Sequence, residues 1–326
     1  MAEGTFVTLA EWAARRAPNG GIAQVANVLA QLNPVLQDIP WVEGNLPTGH
    51  RITQAANALP SASWRRLNQG VAEVTATVEQ FDETCGMLET ESKIDVDLAK
   101  LNGDAAAFRM SEDQLIMEGI SQQFATAAFY ESVSTNPERI HGLAPRYYST
   151  TAGDASAYTL KGTNAGVNAQ SLWLINWAPR KIYGIYPKGS AAGLVVEDKG
   201  EQRVLDSSDN PFYAYVTRLQ WKCGIAVEDY RFATRFQWDP DDSAFADDDR
   251  GMILALQQMI GTIHTLEGSP RFYMSRTSKR KLDAQLASND VNLLSQWQNG
   301  QGGKMVQAFS GIPLRICDAL VAETAI

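Results

Sequence analysis

The residues most able to do chemistry are few and far apart. His50, His141 and His264 are the only histidines, and none falls in an H-E-x-x-H or H-x-x-x-H pattern. The spacing that puts two imidazoles on one helix face around a metal is therefore missing. Cys85, Cys223 and Cys317 form no C-x-x-C pair. Odd, scattered thiols oppose a disulfide framework or a structural zinc site. They fit a reducing compartment, where cysteine acts as a small buried hydrophobe. No G-x-S-x-G elbow presents a serine nucleophile, and no G-x-x-x-x-G-K-[ST] loop is there to cradle phosphates.

Two clusters remain. Asp239, Asp241, Asp242, Asp247, Asp248 and Asp249 are dense enough to hold calcium or magnesium, as the site of a metal-dependent hydrolase would. They lack the D-x-D-x-D-G spacing of an EF-hand and its bidentate Glu. The other reading is a solvated loop whose last three aspartates lend negative charge to a helix N-terminus. The spacing favours that reading, so no metal, cofactor or catalytic residue is expected. The second cluster is Trp64-Arg65-Arg66. As a nucleic-acid patch it is weak, because two arginines in a chain of net charge −9 displace few counterions. It fits a protein–protein contact better, where Trp and Arg are over-represented.

The elements that must position these residues can be read from turn and period signals. Thr8 and Glu11 form a capping box for a short helix that Pro18-Asn19-Gly20-Gly21 stops. Ile22, Val25, Leu29 and Leu32 then recur at helical spacing up to Pro34. Together these make an arm too small to fold alone. From Glu43 to Gly70 large apolar side chains are rare. Pro47-Thr48-Gly49 is a turn and His50–Leu59 can extend. Pro60-Ser61 can reverse the chain, and Ser63–Asn68 can return as the second strand of a long hairpin. An isolated hairpin is marginal in water, so this one needs a partner surface. Val71–Phe81 is a third extended run.

Ser111 and Gln114 form a capping box for a long helix ending near Ser132, with Leu115, Ile116, Ile120, Phe124 and Ala128 as its apolar stripe. Ser171–Trp177 and Lys181–Tyr186 are predicted strands. Their Trp173, Trp177, Tyr183 and Tyr186 stand at strand spacing, as core or interface. Phe212–Trp238 is a long β-rich run closed by Asp239-Pro240. A second long helix is expected after Asp249, with Gly268 as its C-terminal cap. Arg271–Ser275 reads as a strand, Thr277–Ala287 as a basic helix, and the closing hairpin turns at Ser310-Gly311.

The totals set the frame. A length of 326 residues allows one large domain or two ordinary ones, and 44% hydrophobic with 20% charged residues rules against disorder. The N-terminus lacks the basic start and apolar run of a secretory signal, and no apolar stretch reaches bilayer length. Synthesis in the cytosol, with no membrane partner, is the expectation.

The element order is arm, projecting hairpin, strand, long helix, long antiparallel strands, then a compact α/β block. It resembles the major capsid protein of tailed bacteriophages, the Hong Kong 97-like shell fold. "PWVEGNLPTGHRITQ" with "PSASWRRLNQG" looks like the extended loop of a podophage-type subgroup. "RMSEDQLIMEGISQQFATAAFY" followed by "NPERIHGLAPRY" looks like the spine helix and the loop after it. "LWLINWAPRKIYGIYPKG" is similar to that subgroup's strand pair, and "YVTRLQWKCGIAVEDYRFATRF" to the long peripheral strands. "RFYMSRTSKRKLDAQL" with "FSGIPLRICDAL" resembles the strand–helix and closing strand of the axial domain. In the usual order the axial block precedes the long strands. Here Phe212–Trp238 comes first, which looks like a permuted version of the fold.

The resemblance implies an α+β chain with an N-terminal arm (1–43), an extended-loop hairpin with its return strand (44–85), a peripheral domain (86–245) and an axial domain (246–326). It implies a structural, non-enzymatic role. Copies would form hexamers and pentamers, then an icosahedral shell around double-stranded DNA held without sequence-specific binding. A scaffolding protein, a portal and a decoration or cement protein are the further partners it implies. The chain would assemble in the host cytoplasm and reside in the virion. The extended loop would lie across a neighbour, so Trp12, Trp41, His50, Arg51, Trp64, Arg65 and Arg66 are the expected intersubunit contacts. Some members lock their shells with an isopeptide bond from an extended-loop lysine. No lysine precedes Lys93 here, so non-covalent locking is expected. An encapsulin-like nanocompartment shell of the same fold is the alternative.

Overall fold

The computed structural model describes residues 33–55, 62–71, 73–101, 104–162, 168–206, 208–246, 250–288, 295–299 and 305–324. The two expected arm helices, Trp12 and Asp247–Asp249 lie outside the described residues. A short turn of helix, α1 (Val35–Asp38), follows Pro34 and leads into β1 (Trp41–Glu43). A two-stranded hairpin then projects, made of β2 (Gly49–Ala55) and β3 (Val78–Thr84), paired antiparallel from Gly49↔Thr84 to Ala55↔Val78. The strand paired with β2 is thus Val78–Thr84, which overlaps the expected extended run Val71–Phe81, and not Ser63–Asn68. Register explains the difference: Ile52 pairs with Phe81, so both large apolar residues face one side and meet the body. Residues 62–66 carry no alternation to match it and form no strand.

The chain continues through β4 (Gly86–Asp95), α2 (Val96–Lys100) and the long helix α3 (Ala105–Tyr130). α3 begins six residues before the expected capping box at Ser111. Asp104 is the cap, its carboxylate accepting from the Ala107 amide at 3.0 Å. Three alanines follow it, which are strong helix formers. Ser111 sits inside the helix, its hydroxyl donating back to the Phe108 carbonyl at 2.9 Å. The expected stripe is buried at Ile120, Phe124 and Ala128.

Among the described residues, twelve strands join in one sheet. β5 (Thr159–Lys161), β6 (Gln170–Trp177) and β7 (Ile182–Tyr186) come first in the chain. β8 (Leu194–Leu205), β9 (Pro211–Val227) and β10 (Ala233–Trp238) follow. The expected run Phe212–Trp238 is therefore two strands, broken by a tight turn at Tyr230–Phe232. The last elements are α4 (Gly251–Thr262), β11 (Ser269–Met274), α5 (Arg276–Ser288), β12 (Ser295–Asn299), β13 (Met305–Phe309) and β14 (Ile312–Ile316). The main path runs β12-β13-β14-β11-β6-β7-β9-β4, with β10 beside β6, β8 beside β9 and β1 beside β7. Ser310 and Gly311 turn β13 into β14, both with positive φ (50° and 82°), as a two-residue hairpin turn requires.

β6 explains why its sequence is almost continuously apolar: all eight residues are buried, because it has a core on each face. Trp173, Ile175 and Trp177 face the first core with Phe124 and Phe129 of α3 and Trp221 of β9. Leu172 and Leu174 face the second, with Phe236, Trp238, Leu256, Phe272 and Leu282. That second core combines β6 and β10 with α4, α5, β11 and β14.

Gly268 does not cap α4, which ends at Thr262 with Ile263 already extended. It sits at φ +129° in the turn into β11, where an added Cβ would lie 2.4 Å from Asn176 Oδ1. Asn176 holds that turn by donating to the Thr265 and Glu267 carbonyls, each at 2.8 Å.

Candidate functional site

The projecting hairpin has a built root and a bare tip. At the root, Ile52 is buried with Tyr183, Ile185 and Ala226. Glu83 of β3 and Arg146 form a two-pronged ion pair at 6% side-chain exposure each, with one contact at 2.7 Å. Arg146 also donates to the Gly142 and His141 carbonyls, both at 3.1 Å, so its charge is fully solvated by protein. The Cys85 amide bonds to the Thr48 carbonyl at 3.0 Å, and the Gln54 side-chain amide donates to the Glu228 carbonyl. Gly49 allows β2 to pass close to β3: a Cβ there would sit 2.0 Å from the Glu83 carbonyl oxygen.

His50 and Arg51 belong to this root. The His50 ring stands edge-on to Tyr183 at 5.9 Å, and its Nδ1 accepts from the Asn45 amide at 3.3 Å. Arg51 clamps Asp82 across the strands at 2.6 and 2.7 Å, which holds the Asp82 carboxyl below its usual range. Trp41 is half-buried in the chain's own core, its ring 5.7 Å from Phe124 and 5.6 Å from Trp221. The tip differs. Trp64 is fully exposed at 103% and Leu67 at 91%, and Arg65 and Arg66 are exposed beside them. Val71, Val74 and Val78 continue this apolar surface down the return limb.

The other candidates are dispersed. Among the described residues no three His, Cys, Asp or Glu side chains converge on one point. Asp239 and Asp242 instead cap local turns, accepting from the Asp241 amide at 2.9 Å and the Ala244 amide at 3.0 Å. His141 is half-buried beside Arg146; burial first, and that guanidinium second, push its pKa down. His264 stacks edge-on against Phe232 at 5.8 Å. All three thiols are free, and burial raises Cys85 and Cys317 to about 12 and Cys223 further. They are protonated and unreactive at neutral pH.

Two largely buried ion pairs were not visible in the sequence. One is Glu83–Arg146. The other joins Arg235, at 3% exposure, to Glu323 at 2.7 Å, and Arg235 also donates to the Tyr147 carbonyl at 2.7 Å. It ties the C-terminal segment to the centre of the sheet. The partners stand 63 and 88 residues apart, and no local pattern links them.

A projecting strand pair is thus anchored on a mixed sheet against which one long helix packs. The profile of a family described as major capsid protein GP7 matches residues 17–326. This chain belongs to that capsid protein family. A chain from the cryo-EM structure of bacteriophage Epsilon15 is 27% identical, with a TM-score of 0.75 over 100% of this chain and 99% of that one. The capsid of bacteriophage JBD30 is 9% identical over 98% of this chain and 96% of its own, with a TM-score of 0.52, and shares the fold. The holo-SrpI encapsulin from Synechococcus elongatus reaches a TM-score of 0.47 at 10% identity over 71% of this chain and 95% of its own, too low to carry an argument. No curated protein matches the chain. The major capsid protein is a structural, self-assembling shell component of a phage virion.

Proposed function

We propose that this capsid protein closes its shell through the projecting hairpin. The observation that supports this is a fully exposed Trp64 with Arg65 and Arg66, on a limb whose root is fixed by buried groups. A rigid root with a bare, aromatic tip suits contact with a neighbour better than contact with solvent. In this reading Trp64, Arg65 and Arg66 touch the next subunit. His50 and Arg51 stiffen the root, and Trp41 fixes β1 to the core beneath it. Trp12 would belong to an arm contact.

Copies would form hexamers and pentamers in the host cytoplasm, around double-stranded DNA, with no bond-making step. A scaffolding protein, a portal and a decoration protein would be its partners. The negative net charge keeps packaged DNA from adhering to the wall. The division into arm, extended loop, peripheral and axial parts (1–43, 44–85, 86–245, 246–326) is one of chain segments in this reading. It does not mark separate folding units, because Leu172 and Phe236 share a core with Leu256 and Leu282. The early place of β9 in the chain fits the permuted order. Negative-stain electron microscopy of the protein expressed in bacteria tests the reading. Closed icosahedral particles or rings of five and six subunits are expected. A monodisperse soluble monomer at high concentration would overturn it.

A further inference from the structure

A hollow of about 300 Å³ opens between α3 and the start of β4. Phe124, Ala127, Leu88 and Ile140 form its apolar wall. Gln123, Glu131 and Glu138 line it too, and Glu138 is 72% exposed. We propose that this hollow is the socket for Trp64 of a second copy of the chain. The inference rests on the reading of the hairpin as an intersubunit element and says where on the neighbour its tip is received.

Three observations carry it. Trp64 is fully exposed, whereas every other tryptophan whose side chain is described is buried or half-buried. An exposed aromatic ring beside two arginines is the kind of anchor that dominates interface energetics. Charge agrees. Arg65 and Arg66 have no acidic partner among the described residues. Arg139 bridges Glu131 and approaches Glu138 at 3.9 Å, so two carboxylates at the socket share one guanidinium. A docked Arg65 or Arg66 would supply the missing positive charge. Behind the wall lies an aromatic pair, Phe124 fully buried against Trp221 with ring centres 4.6 Å apart, so an indole in the hollow would sit over an apolar floor.

The test uses full-length protein carrying Trp64→Cys with Gln123→Cys, assembled and mildly oxidised. The double variant and both single variants also carry Cys223→Ala, because Cys223 lines the hollow and would offer Trp64→Cys a native partner. A non-reducing gel should show a ladder of covalent oligomers that collapses to monomer with reductant, and neither single variant should give it. Monomer from assembled double-variant particles would overturn the socket while leaving the shell reading intact. So would an adduct to a different protein. If the unsubstituted chain formed no particles, the shell reading itself would fail. A second measurement needs no disulfide. Trp64→Ala and Ala127→Phe, which fills the hollow, should each lower particle yield, and together should lower it no further than the worse of the two. Multiplying losses would overturn the inference.

Discussion

Arg146 and Glu83 carry the hairpin's attachment at the scale of single residues. Removing one charge of a buried pair strands the other, which costs about 3–5 kcal/mol. Arg146→Ala should therefore destabilise the unassembled subunit by about that much, read from urea unfolding. Arg51→Ala breaks an ion pair just as well formed but exposed, and should leave stability nearly unchanged, because water screens and replaces the contact. Asp113 on α3 makes a pH prediction. Burial raises its carboxyl pKa, against hydrogen bonds from Ser92 and Thr217 that lower it, and one carboxylate oxygen has no partner. The folded chain thus holds that proton to higher pH than the unfolded chain. Stability from this group is full below the unfolded pKa, near 4, and is lost as pH rises through the raised folded value. Asp113→Asn should raise the melting temperature at pH 7 and change nothing at pH 3. An equal shift at both values would contradict the cause given. Such pairings were illegible in the sequence, because charge partners distant in the chain leave no periodic trace.

Elements were more legible, with instructive misses. The stripe of α3 and the double-faced β6 follow from period and from continuous burial. The start of α3 was misplaced because a helix-compatible S-x-x-Q motif lay inside a longer run of helix formers, and the true cap, Asp104, precedes only alanines. β8 is not among the strands expected from the sequence. Its ladder with β9 has an irregularity between Asp198 and Glu201, with Gly200 at φ +71°. The hairpin's return strand was misassigned because turn residues mark where a chain can reverse but not which later segment pairs. Ile52↔Phe81 decides that, and it needs the body beneath. A deletion of Gly49–Gln69 would accordingly remove the buried Ile52 along with the tip. A cleaner variant replaces residues 56–77 by Asn-Gly, joining the Ala55–Val78 pair by a two-residue turn. Its thermal unfolding should match the parent, while particles disappear from sedimentation profiles. Normal particles from this variant would remove the hairpin tip from assembly.

For the whole molecule, the capsid fold is legible in element order and motifs rather than in any site, since among the described residues none of the dispersed candidates converges. One property of the assembled particle still follows from composition. No lysine precedes Lys93, so neither arm nor hairpin presents a lysine amine as nucleophile, and guanidinium groups do not substitute. Mature particles boiled in detergent and reductant should run as a single band at monomer mass. A ladder there would mean a covalent lock of another chemistry.

β9 has a mechanical consequence. Its first part is laced to β4 on one side and β8 on the other, and its last residues are laced to β7. It therefore passes uninterrupted from the β4 and β8 ladders into the β7 ladder. Tension along it would strain those ladders in shear, all rungs together, unlike the one-by-one peeling of a hairpin pulled open at its free ends. Inflation from within should thus stretch each subunit little. The seams between neighbours would yield first, and an overfilled particle should burst into folded, reusable pieces.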